Sequence, residues 1–127
     1  MNQTLVRTAS TLLVSFALTA PAAFAQDDAT KEIAMVIASL NHYPTDEQKE
    51  SLQYIKMDKD SSASVQTIAG ALINFKHQAT PEDKAMLEKV AADSGATDAE
   101  RQLASILMGI QHTPKPDALA KLKAISE

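Results

Sequence analysis

Apolar residues recur along this chain in two registers, and both registers repeat every 35 residues. His42, His77 and His112 mark the period. Apolar residues stand nine, six, five and two positions before each histidine. They are Ile33, Val36, Ile37 and Leu40, then Ile68, Ala71, Leu72 and Phe75, then Leu103, Ile106, Leu107 and Ile110. This is the i, i+3, i+4, i+7 spacing of one helix face. Ala34, Met35 and Ala38, Ala69 and Ile73, and Ala104 and Met108 widen the stripe. A helix apolar over most of its circumference is buried on several sides, so these first helices are expected to form an inner layer. The segment after each histidine is thinner in apolar residues. Its shared contacts are Leu52 with Ile55, Leu87 with Val90, and Leu122 with Ile125. A second, outer helix with one narrow inward stripe is expected there. Met86 also fits a core position, whereas Met57 falls near a helix end.

Capping residues set the limits of these helices. Thr97 with Glu100 and Thr45 with Gln48 have the spacing of a capping box, in which each side chain satisfies a backbone N–H of the other. Thr80 precedes Pro81, which suits the first helical position because its missing N–H is not needed there. Ser61 or Ser62 and Asp27 stand at equivalent places in the other first helices. Proline in His42-Tyr43-Pro44, His77-Gln78-Ala79-Thr80-Pro81 and His112-Thr113-Pro114 ends the first helix of each unit. Asp46, Glu47, Glu82, Asp83 and Asp117 then fall in first turns, where the helix dipole favours acids. Gly95 suits a helix C-cap.

The pattern predicts an all-α domain of three tandem helical hairpins of about 35 residues, six helices in all, over roughly 27–61, 62–96 and 97–127. Three such units form either a compact bundle or a short open array. The compact form is favoured, since an open stack of three leaves both end faces exposed. In period and layout the chain resembles tetratricopeptide-type arrays. It lacks that family's Trp and places its proline between the helices of a unit, so the resemblance implies architecture and no functional residue.

Composition adds a destination. Within residues 1–25 the only charge is Arg7, an apolar run covers 11–20, and Ala23-Phe24-Ala25 ends the stretch. That is the layout of a cleaved secretory signal, with a run too short to anchor in a bilayer. A periplasmic or secreted protein is expected. The 127-residue chain contains no cysteine, which removes disulfides and thiol chemistry. Its 12 basic and 16 acidic residues give a net charge of −4, without a basic cluster. Nucleic acid is therefore a poor partner, and no later segment is apolar enough to span a membrane.

The residues offer little enzymology. Asp46, Asp83 and Asp117 follow their histidines at varying distances, whereas an acid–base pair needs fixed geometry. Asp58-Lys59-Asp60 resembles the start of a calcium loop, but Ala63 and Ala69 occupy the places that need Gly and Glu. No enzyme and no cofactor is expected. The leading expectation is a binding or chaperone-like adaptor that presents the ridge of His42, Tyr43, His77 and His112 to a protein or peptide. The alternative is a metal- or pH-responsive protein, since three imidazoles suit zinc, copper or nickel. That alternative depends on topology. Equivalent residues in an open stack form a row, whereas a closed pseudo-threefold bundle brings them to a point. The structural alternative is that each histidine caps the C-terminus of its helix, where the ring favours the last carbonyls and the negative dipole end.

Overall fold

The structure, a computed structural model, describes residues 26–127. The leader expected over residues 1–25 lies outside the described residues. Six helices follow one another: α1 (Gln26–Ala38), α2 (Asp46–Met57), α3 (Ala63–Ile73), α4 (Pro81–Ala92), α5 (Asp98–Gly109) and α6 (Pro116–Ser126). Thr45 and Thr97 form the expected capping boxes with Gln48 and Glu100. Ser62, rather than Ser61, caps α3, and Thr80 caps α4 ahead of Pro81. Helix α1 begins at Gln26, ahead of the Asp27 expected as its cap.

The three inner helices α1, α3 and α5 all touch one another. Each outer helix packs most closely on the inner helix of the next unit: α2 on α3, α4 on α5, and α6 back on α1. The last contact closes the ring, so the molecule is a compact bundle with an approximate threefold axis. Closure also supplies the final unit with the partner that an open array would leave bare.

Only three register positions carry the same residue in all units, and two of them are core. Ala34, Ala69 and Ala104 are fully buried in the inner helices, where a small side chain lets neighbouring helices approach. Leu52, Leu87 and Leu122 are the fully buried anchors of the outer helices. Ile55 and Val90 are also buried, while Ile125 is partly so. At the starting end of the inner helices, buried Glu100 accepts from the Thr97 backbone N–H and from Ser62 Oγ at 2.6 Å. One carboxylate thus joins the caps of two helices, which fixes α3 and α5 side by side with their first turns level.

Three sequence expectations need correction. Met35 and Met86 are about half exposed rather than core. Their repeat equivalents are Gly70 and Ser105, and Ser51 and Lys121, so both lie at polar register positions. Gly95 does not terminate α4, which ends on Asp93 as C-cap. Among the described residues no glycine has a positive φ. Replacement of Leu87 by alanine is expected to lower stability by about 3 kcal/mol, the usual cost of an emptied leucine site. Met86→Ala should stay within about 0.5 kcal/mol. Chemical denaturation of the two variants checks the assignment, and equal losses would contradict it.

Candidate metal centre

The third identical position is histidine, and burial does not explain it. His77 and His112 are exposed and His42 is half-buried. None of the three caps a helix, contrary to the capping alternative, because the inner helices end three or four residues earlier at Ala38, Ile73 and Gly109. After each helix one more apolar side chain is buried: Leu40, Phe75 or Ile110. The chain then reverses direction through the histidine, which adopts a left-handed backbone with φ of 77°, 65° and 71° in turn. The N–H of the following residue returns to the carbonyl of the preceding one at 2.6 Å around His77 and 2.8 Å around His112. These are γ-turns of the uncommon form with φ near about +75°.

The three turns are tied together by their backbones. His42 N–H donates to the His112 carbonyl at 2.9 Å, His77 N–H to His42 at 2.5 Å, and His112 N–H to His77 at 2.6 Å. The result is a closed cycle of three hydrogen bonds about the axis. Each contributes about 0.5–1.5 kcal/mol net, which roughly offsets the cost of about 1–2 kcal/mol for a left-handed residue with a side chain. Glycine would make the same bonds without that cost. The backbone therefore accounts for the turn but not for histidine in it, and the reason for histidine lies in the ring.

The rings converge. Their centroids are 4.9–5.0 Å apart in edge-to-face pairs. One nitrogen from each ring lies within 4.8 Å of the other two, and among the described residues no carboxylate joins this group. His77 Nδ1 and His112 Nδ1 are 3.1 Å apart, within hydrogen-bond distance. Zinc bonds of about 2.0–2.1 Å in tetrahedral geometry place ligand nitrogens about 3.3 Å apart. Closing the third ring onto that pair from within 4.8 Å requires a shift of up to about 1.5 Å, within reach of side-chain rotation. His42 Nδ1 meets Asn41 Oδ1 at 2.8 Å. That bond holds the proton on Nδ1 and leaves the lone pair on Nε2, the way a neighbouring acceptor orients a ligating imidazole. The inner helices direct three carbonyl ends, and so their negative dipole ends, at this same pole, which favours a cation.

Sequence spacing identifies all three histidines. It does not reveal Asn41, whose role depends on a contact that its neighbours Lys76 and Gln111 do not repeat. Tyr43, grouped with the histidines from sequence, is exposed beside the turn.

His77→Gly is expected to leave metal-free stability unchanged or raise it by up to about 1 kcal/mol, as relief of left-handed strain exceeds the added freedom of the unfolded chain. Denaturant titration without metal checks this, and a loss above 1 kcal/mol would show that ring contacts hold the bundle together. Asn41→Ala should weaken metal binding about tenfold, the lower end for loss of an orienting partner; calorimetric titration checks it. Comparison with family models, curated proteins and solved structures gives no match to this chain.

Proposed function

We propose that this protein binds one divalent transition-metal ion per chain through His42, His77 and His112. The observation that carries the reading is the meeting of three imidazoles on the bundle axis, each on a backbone conformation that glycine would adopt more easily. Non-glycine residues in left-handed conformations gather at functional sites, because only a use for the side chain retains them. A donor set of imidazoles alone suits zinc, copper or nickel and not magnesium or calcium, which prefer oxygen.

The setting agrees with this use. A chain without cysteine offers no thiolate to compete for the ion or to be oxidised beside it. Export, expected from residues 1–25, would put the site where external metal is encountered. Among the described residues no helix is long and apolar enough to cross a membrane. The open position of the site on the surface suits reversible binding, as in a metal buffer or carrier.

Zinc at about 100 times its dissociation constant is expected to raise unfolding stability by about 2.7 kcal/mol. His42→Ala, His77→Ala and His112→Ala should each abolish the gain, whereas magnesium should give none. Ligation needs the unprotonated imidazole, so protons compete with the ion and the gain should shrink on acidification. Thermal melts with and without zinc check all of this. A zinc response that survives any one of the three substitutions would overturn the shared site.

A further inference from the structure

The third unit departs from the repeat at its turn. In the first two units the residue three before the histidine bonds to the residue six after it. Gln48 Nε2 donates to Ser39 Oγ at 2.8 Å, and Asn74 Nδ2 to Asp83 Oδ2 at 3.2 Å. The third unit has Gly109 and Ala118 at these places and has no side chains to make the link. A β-carbon added at Gly109 would meet open space. The outer-helix cap also changes. Thr45 and Thr80 cap α2 and α4, but Lys115 stands at the same register position before α6 and makes no side-chain cap bond. Loss of such a cap ordinarily costs stability, so unit three gives up two local bonds at one turn.

A hollow lies at this turn. It measures about 450 Å³ and is lined by Gly109, Gln111, Thr113, Pro114, Lys115 and Pro116. Two of these residues, Gln111 and Thr113, are the chain neighbours of His112, which does not itself line the hollow. The chain carries 16 acidic residues, yet none lines this hollow, and no acid occupies a position adjacent in sequence to any of the three histidines. Its polar groups are the Gln111 amide, the Thr113 hydroxyl and the Lys115 ammonium.

From this we infer that the metal site takes a fourth, exogenous ligand, and that this ligand is a small oxyanion of the carboxylate class held jointly by the ion and Lys115. The inference rests on the metal reading above. Three neutral imidazoles leave a divalent ion its full charge, and a tetrahedral ion with three protein ligands keeps one position open. The described residues offer no carboxylate to fill it. An oxygen in direct contact with a dication is attracted far more strongly than it is repelled by the first-turn acids of the outer helices, which solvent screens. Lys115 supplies the second, cationic contact, while Gln111 and Thr113 can donate hydrogen bonds to the other oxygen.

The experiment loads the full chain with cobalt(II), whose visible absorption reports its ligands, and adds sodium acetate. A single ion per chain and a saturable change in the cobalt bands with acetate are expected. Lys115→Thr restores the cap of the other two units. It should raise the melting temperature of the metal-free protein, leave the cobalt stoichiometry unchanged, and weaken acetate binding severalfold. One bound cobalt whose spectrum does not respond to acetate would overturn this inference and leave the metal site standing. Acetate affinity unchanged in Lys115→Thr would remove the role of the hollow. Failure to bind cobalt at all would overturn both readings.

Discussion

Closure of the three units about one axis is the constraint on which everything else depends. It is made by α6 packing on α1 and completed at one pole by the cycle of backbone hydrogen bonds through His42, His77 and His112. In an open array the same residues would be spaced along a ridge, about a helix diameter apart. Once the ring closes, residues 35 apart in sequence share a point. A site of three side chains then arises from one position copied three times, which is the shortest route from a repeat to a metal site.

The two poles of the bundle differ in physical character. At the starting pole of the inner helices, Glu100 links the caps of α3 and α5 through short bonds to oxygen and nitrogen donors, and it is almost wholly buried. Its place is a structural one. At the other pole His77 and His112 are exposed and His42 half-buried, the backbone is left-handed and the rings have few partners besides one another. Stability lies in the apolar layers between, from the small Ala34, Ala69 and Ala104 to the anchors Leu52, Leu87 and Leu122. The histidine pole can therefore keep residues that are unfavourable for the turn, because the core holds the turn in place.

Much of this was legible in the sequence. The 3.6-residue spacing of Ile33, Val36, Ile37 and Leu40 and its two copies set the helices, Thr45, Thr80 and Thr97 set three of their starts, and a fourth was narrowed to Ser61 or Ser62. Register comparison would also have moved Met35 and Met86 out of the core, since their equivalents are polar or glycine. Three things were not legible. Which helix packs on which is decided by closure, a global property that no local pattern reports. The left-handed backbone was hidden because histidine, not glycine, occupies it, and proline nearby made an ordinary helix stop the simpler reading. The missing link at Gly109 and Ala118, near the hollow, is visible only against the contacts made by Ser39 with Gln48 and by Asn74 with Asp83.

The most direct test of the account is to follow the imidazole nitrogens by NMR while zinc is added to the nitrogen-15-labelled chain. The account predicts that ring nitrogens of His42, His77 and His112 shift together and that all three changes are complete at one equivalent of zinc. Movement of only one or two histidines, or changes that continue well past one equivalent, would contradict a single ion shared on the axis.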